Sequence, residues 1–250
     1  MQHLFTGKKK WTIKINSFPQ VSRNLSKYPE NSLCRGELQV KGGSFLLEGL
    51  ETEVKFFLFN IRTMRDHILD LGAESQGRFF ERNFRFEDTP KSLKQKKSLL
   101  RLRQDTKNTL TFKSAPAKKD GSFKILKELE VEVSDFDTMH HILEALGFHR
   151  EQIYEKWRET FELNQTYLCL DTMPYGDFIE IEGQKQNIIN FASRLGLDWN
   201  KRILLNYLEI FEVLQKKLGL DFSDVTFENF KFIKVNVVDF FKLMEAGSVR

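Results

Sequence analysis

From residue 51 onward, apolar and polar residues alternate in short runs, a pattern typical of β-strands that bury one face. In each run one face of the strand is apolar, and the other carries charged or polar side chains. Eight strands are predicted, at about residues 51–59, 78–87, 98–105, 107–113, 123–133, 152–163, 166–171 and 177–183.

Apolar residues at helical spacing appear twice between these strands, and each helical stretch is followed by a glycine that ends it, Gly72 or Gly147. The segment Glu51-Thr-Glu-Val with its helix resembles the segment Glu128-Leu-Glu-Val with its helix. The sequence therefore predicts two β-α-β units. If one sheet brings their acidic strands together, we expect the strands to face each other across a cavity.

Charges on the polar strand faces are sorted by sign from strand to strand. In Glu51-Thr-Glu-Val-Lys55, alternation places two carboxylates on one face, roughly 7 Å apart. Solvent-facing strands usually mix the two signs, so this sorting indicates a function. The acidic positions are Glu51, Glu53, Glu128, Glu130, Glu132, Glu180 and Glu182, and the basic positions are Arg101, Arg103, Lys113, Lys156 and Arg158.

This sorting favours a closed antiparallel barrel lined with charge. Closing eight strands leaves an interior wide enough for one small ligand, while the apolar faces pack against helices outside. Burying so many charges is costly unless the ligand is both anionic and metal-bound. A metal-chelated polyphosphate satisfies both requirements, because Arg and Lys bind phosphoryl oxygens and carboxylates bind hard cations such as Mg²⁺ or Mn²⁺.

The chain divides into three regions by pattern. Residues 1–48 show no sustained period, so we expect an irregular extension that fold and activity do not need. Residues 49–197 contain the predicted barrel, and residues 198–250 form a tail that is predicted to be helical. An apolar stripe from Ile203 to Leu218 should pack over the outside of the barrel, or alternatively form a homodimer.

Composition excludes several other classes of protein. The 39 basic and 35 acidic residues nearly balance, which argues against nucleic-acid binding by overall charge. Cys34 and Cys169 match no metal or redox spacing, and no apolar run could span a membrane. We therefore expect a cytoplasmic protein with free thiols and neither membrane nor nucleic-acid partners.

Seven short motifs occur in an order that resembles the CYTH superfamily of triphosphate tunnel metalloenzymes, particularly the branch of class IV adenylyl cyclases and thiamine triphosphatases. The resemblance covers about residues 50–197 and implies an α+β fold with an eight-stranded antiparallel closed barrel. The motifs are Glu51-x-Glu-x-Lys55, Leu100-Arg-Leu-Arg103, Leu110-Thr-Phe-Lys113, Glu128-Leu-Glu130, Lys156-Trp-Arg158, Leu170-Asp171 and Phe178-Ile-Glu-Ile-Glu182-Gly183.

The resemblance also implies roles for individual residues and a metal cofactor, Mg²⁺ or Mn²⁺. Glu132 lies one step beyond its acidic pair and is expected at the rim or in solvent. The implied activity is cyclisation of ATP or hydrolysis of a triphosphate, with a non-catalytic polyphosphate- or nucleotide-binding module as the alternative. The implied metal ligands are Glu51, Glu53, Glu128, Glu130, Asp171, Glu180 and Glu182, and the implied phosphate ligands are Lys55, Arg101, Arg103, Lys113, Lys156 and Arg158.

Overall fold

A computed structural model describes residues 49–116, 120–233, 240 and 242–246 of the chain. The prediction for residues 1–48 lies outside the described residues. The strands are β1 Leu50–Leu58, β2 Glu74–Asp88, β3 Leu99–Gln104, β4 Asn108–Ser114, β5 Lys124–Val133, β6 Phe148–Leu163, β7 Thr166–Met173 and β8 Gly176–Glu182. The helices are α1 Ile61–Asp70, α2 Ser92–Gln95, α3 Phe136–Ala145, α4 Lys185–Arg194 and α5 Tyr207–Leu218, with a short 3₁₀ helix at Trp199–Lys201.

The eight strands form one closed barrel, in which every neighbouring pair is antiparallel. This confirms the predicted fold class. The order around the barrel is β1, β5, β4, β3, β2, β6, β7, β8 and back to β1.

The two predicted β-α-β units are present as β1-α1-β2 and β5-α3-β6. Their acidic strands are direct neighbours, with Glu51 opposite Leu126 in the ladder. The expectation that the strands face each other across a cavity was therefore wrong. Two strands that each need a hydrogen-bonding partner satisfy each other by pairing, which places their acidic side chains on the same wall.

Helices cover the apolar outer face of the barrel. Val54 and Phe56 of β1 point outward and are buried with Ile68 of α1 and Ile188 of α4. A second outer cluster joins α3 to β2 and β3. Because strand side chains alternate between faces, this outward packing directs Glu51, Glu53 and Lys55 into the barrel.

The helix α5 packs against one end of the barrel, which corrects the expectation that it lies over the outside. Its buried face belongs to one core cluster with Met173 and Phe178, which lie where β7 ends and β8 begins, and with Tyr154 of β6. Just before α5, the backbone of Ile203 forms two hydrogen bonds with Lys55, at 3.1 and 2.7 Å. Beyond Glu53, β1 has no pairing partner in β5, and the backbone of Ile203 pairs with Lys55 in its place.

Two strands are longer than the alternation predicts. β2 and β6 begin at Glu74 and Phe148, and register shifts interrupt their pairing. These irregular pieces do not alternate cleanly, which explains why the sequence pattern missed them. Among the described helices, none has the length and apolar character needed to cross a membrane.

Candidate active site: a charged tunnel

The order of strands around the barrel places the strands with acidic side chains together on one side, the acidic wall, and most strands with basic side chains together on the other, the basic wall. The acidic strands β8, β1 and β5 are consecutive in the barrel, and the basic strands β4, β3 and β6 follow with only β2 among them. The barrel interior is therefore acidic on one side and basic on the other. A bound polyphosphate between the walls could contact cations on one side and carboxylate-bound metal on the other.

Three carboxylates of the acidic wall converge on one point. One oxygen from each of Glu51, Glu180 and Glu182 lies within 4.8 Å of the others. Glu51 and Glu180 are buried, and Glu182 is partly exposed. A pocket of about 50 Å³ is lined by Glu51 and Glu182 of this cluster and by Tyr167.

The pKa values of Glu180 and Glu182 are shifted in opposite directions by their surroundings. Burial, together with the negative charges of Glu51, Glu180 and Glu53, raises the pKa of Glu182 to about 8. Burial acts in the same direction on Glu180, yet the positive charges of Lys55 and Arg158 hold the pKa of Glu180 well below its usual range. These shifts favour the ionised form of Glu180 and the protonated form of Glu182 at neutral pH.

The other predicted metal ligands in the acidic wall also form ion pairs with lysine or arginine side chains. Glu53 is 3% exposed, and its Oε1 lies 2.5 Å from Lys55 Nζ and 2.6 Å from Lys124 Nζ. Glu128 lies 3.2 Å from Lys113 Nζ. Glu130 accepts a 2.9 Å hydrogen bond from the Thr111 hydroxyl and lies within 4 Å of Arg101 and Arg103.

The cation Lys55 shows how these pairs stabilise buried charge. Its ammonium lies 2.5 Å from Glu53 and 3.0 Å from Glu180. Burial alone would lower the pKa of Lys55, but the two carboxylates raise it above its usual value. Lys55 is therefore a permanent cation in the acidic wall.

The remaining predicted phosphate ligands also face the tunnel. Arg101 donates hydrogen bonds to the hydroxyl groups of Tyr154 and Thr111, and Arg103 lies 3.1 Å from Asp105. Lys113 Nζ lies 2.5 Å from Glu51, which brings the basic wall into contact with the acidic cluster.

Lys156 and Arg158 of β6 are bound from both sides by buried carboxylates. Asp171 accepts hydrogen bonds from Arg158 Nε and Nη2 at 2.7 and 2.6 Å, and from Lys156 Nζ at 3.2 Å. On the other side, Glu81 Oε2 lies 3.4 Å from Lys156 Nζ. Burial favours the neutral form of Glu81, but the nearby cations, Lys156 foremost, lower its pKa to about 2.

Sequence reasoning missed several tunnel residues. Alternation across the predicted strand at 78–87 places Glu81 and Asn83 on one face, so the pattern could have found them. The side chains of Asn83 and Thr109 are buried without a hydrogen-bond partner among the described residues, which makes both available to a ligand or water. Lys124 begins a strand, and Tyr207 lies beyond the strand pattern altogether.

Comparison with known proteins agrees with this architecture. A candidate adenylate cyclase from Vibrio parahaemolyticus is 18% identical, with a TM-score of 0.59 over 65% of this chain and 98% of that one. This likeness concerns the fold. A protein from Pyrococcus horikoshii OT3 is 29% identical, with a TM-score of 0.53 over 63% of this chain and 96% of that one. No curated protein sequence matches the chain.

A conserved hypothetical protein from Pyrococcus furiosus is 25% identical, with a TM-score of 0.53 over 64% of this chain and 98% of that one. The family model of the CYTH domain matches residues 49–192, which span β1 through most of α4. That match takes in more than half of the chain and all eight strands of the barrel. The chain therefore belongs to the CYTH domain family.

Proposed function

We propose that this protein is a metal-dependent enzyme that acts on the triphosphate of a nucleotide, or of a small organic or inorganic triphosphate, inside the barrel. The observation that carries the proposal is the pair of opposed walls, with the cluster of Glu51, Glu180 and Glu182 on the acidic one. A solvated surface gains nothing from such sorting, whereas a metal-bound polyphosphate requires both charges.

The donor set fits a hard divalent cation. The cluster offers only carboxylate oxygens, which suit Mg²⁺ or Mn²⁺ rather than softer metals. When bound, the cation would neutralise phosphoryl charge and lower the pKa of a nucleophile. Glu51, Glu180 and Glu182 would hold it, and Glu53, Glu128, Glu130 and Asp171 remain candidate ligands.

The basic side chains would bind and orient the phosphoryl groups. Lys55, Lys113 and Arg158 are paired with Glu51 or Glu180 of the cluster. An arriving triphosphate would exchange these partners for phosphoryl oxygens, and arginine can offer two parallel N–H groups. The complete set of proposed phosphate ligands is Lys55, Arg101, Arg103, Lys113, Lys156 and Arg158.

Two reactions use this same charge lining. If water attacks the terminal phosphorus, the bond to the bridging oxygen breaks, the diphosphate part of the substrate leaves, orthophosphate forms and the enzyme is a triphosphatase. If the ribose 3′-hydroxyl attacks the α-phosphorus, pyrophosphate leaves and the product is cyclic AMP. In either reaction the protein mainly positions and neutralises charged groups.

Product analysis tests the proposal directly. The full-length protein is incubated with Mg²⁺ or Mn²⁺ and with ATP, tripolyphosphate or thiamine triphosphate. Cyclic AMP with pyrophosphate identifies a cyclase, and orthophosphate identifies a triphosphatase. Glu180→Gln should lose activity, while Glu132→Gln should keep it, because the Glu132 side chain is 63% exposed. Tight binding of these compounds without any product would instead identify a binding module.

A further inference from the structure

We propose that Tyr207, which lies beyond the matched domain, is a positioning residue of the tunnel: it fixes Asp171 as the counter-ion that orients Arg158 and Lys156. This inference rests on the proposed function, because orientation of the two cations matters if they bind phosphate. It gives Asp171 a role distinct from metal ligation, and it makes the C-terminal tail part of the site.

Asp171 is surrounded by hydrogen-bond donors. Its side chain is fully buried, and the Tyr207 hydroxyl donates to Oδ2 at 2.6 Å. Arg158 occupies both carboxylate oxygens, at 2.7 and 2.6 Å, and Lys156 lies 3.2 Å from Oδ2. A metal ion could bind Asp171 only by displacing these donors, which occupy both of its carboxylate oxygens.

The ring of Tyr207 also contacts the tunnel cations. The ammonium groups of Lys55 and Lys156 lie 5.2 and 5.4 Å from the ring centroid, within the range of cation–π attraction. Tyr207 therefore contacts one cation from each wall and the carboxylate that binds a third.

The tail holds Tyr207 firmly in this place. Asn206 caps the helix and forms a capping box with Glu209, so α5 begins at Tyr207 itself. Just before the helix, the Ile203 backbone pairs with the Lys55 backbone at 3.1 and 2.7 Å, which fixes the chain leading into α5. The hydroxyl of Tyr175 donates to the backbone oxygen of Tyr207, at 2.8 Å, and not to its hydroxyl. The Tyr207 hydroxyl is thus aimed at Asp171 by the fold.

Orientation follows from the geometry of the Arg158 contact. The fork to Asp171 uses Nε and Nη2 of the guanidinium, and Nη1 lies outside this fork. A planar guanidinium held by two bonds has one fixed direction for its remaining N–H groups. Loss of the Tyr207 hydrogen bond would let the Asp171 carboxylate rotate. Arg158 and Lys156, which both bind this carboxylate, would then no longer be held in a fixed orientation.

The test compares Tyr207→Phe with Tyr175→Phe in the full-length protein. Each variant removes one buried hydroxyl from the same core, but only the first touches Asp171. Steady-state rates are measured with tripolyphosphate and Mg²⁺, and KM serves as the readout of substrate binding. Tyr207→Phe should weaken binding and kcat/KM by roughly tenfold, and Tyr175→Phe by less than about twofold, at matched thermal midpoints. In an Asp171→Asn background, Tyr207→Phe should cause no further loss.

A second readout does not depend on activity. The Nε–H resonance of Arg158, assigned with Arg158→Lys, should exchange with water faster in Tyr207→Phe than in Tyr175→Phe. Equal exchange rates in the two variants, or equal losses of binding that follow the thermal midpoint, would overturn the positioning role. A wild-type protein that neither binds nor converts any triphosphate would refute the proposed function, and the exchange rates would still decide the role of Tyr207.

Discussion

Replacing the titratable carboxyl of Glu182 by an amide should make the metal-free protein more stable. The carboxyl lies next to Glu51 and Glu180 with no metal to offset them, and its pKa is raised from 4.5 to about 8. Glu182→Gln keeps the shape and removes the ionisation. The same change removes a proposed metal ligand, so stability gained without metal should accompany metal affinity lost.

The size of the effect follows from linkage. In the unfolded chain Glu182 ionises above its ordinary pKa, whereas the folded protein keeps it protonated up to about pH 8. Because the folded pKa is the higher one, stability from this group is complete below about pH 4.5 and is lost as the pH rises toward 8. The cost is about 1 kcal/mol at pH 5.5 and about 3 kcal/mol at pH 7.

Thermal unfolding in chelator measures this cost. For a domain of this size, Glu182→Gln should raise the thermal midpoint by roughly 6–12 °C at pH 7 and by roughly 2–4 °C at pH 5.5. Glu132→Gln is the matched control. Glu132 lies on the acidic face of its own strand, but its side chain is exposed and pairs with Lys107. Its midpoint should stay within about 1 °C of wild type at both pH values.

Saturating Mn²⁺ should reverse the order of stability, because only the wild type keeps all three carboxylates of the cluster. A stability gap between wild type and Glu182→Gln that does not grow between pH 5.5 and 7 would refute the electrostatic reasoning. A variant less stable than wild type at pH 7 would show that Glu182 forms a stabilising contact instead.

Three further predictions concern the basic wall, its counter-ions and the N-terminal extension. Arg103→Ala should lower kcat/KM by about 10²–10³-fold while the thermal midpoint changes little, because it removes a proposed phosphate ligand; a large drop in midpoint would mark a structural role. Glu81→Gln should destabilise the protein by up to about 3 kcal/mol at pH 7, since the lowered pKa of Glu81 stabilises the fold above about pH 4.5 and is lost toward pH 2. Urea unfolding at pH 7 and pH 3 tests this, and an equal deficit at both values would contradict it. A protein that starts at Leu47 should retain its circular dichroism, midpoint and turnover; loss of turnover with the fold intact would assign the extension a role in the site.

Much of the barrel was predictable because its signal is local. Strict alternation in Glu51-Thr-Glu-Val-Lys55 assigns each side chain to a face before any neighbour is known. The sign of the charge on each strand then predicts a lined interior. What alternation does not encode is which strands pair, so the adjacency of β1 and β5 emerged only from the structure.

The site residues that the sequence did not predict are defined by contacts with residues far away in sequence. Tyr207 meets Asp171 across 36 residues, and nothing in its own helical pattern distinguishes it from other apolar positions. Glu81 faces the tunnel by simple alternation, but its importance comes from Lys156, on a strand far away in sequence. Pairing of buried charges is a property of the assembled barrel, and a single strand does not reveal it.

The most direct test of the central claim is phosphorus NMR of the full-length protein with ATP or tripolyphosphate, before and after removal of divalent cations. We expect product resonances to grow only with Mg²⁺ or Mn²⁺, to stop growing in excess chelator, and to grow again when metal is restored. Turnover that continues unchanged in chelator, with bound metal shown to be absent, would contradict the assignment of the acidic wall as a metal site.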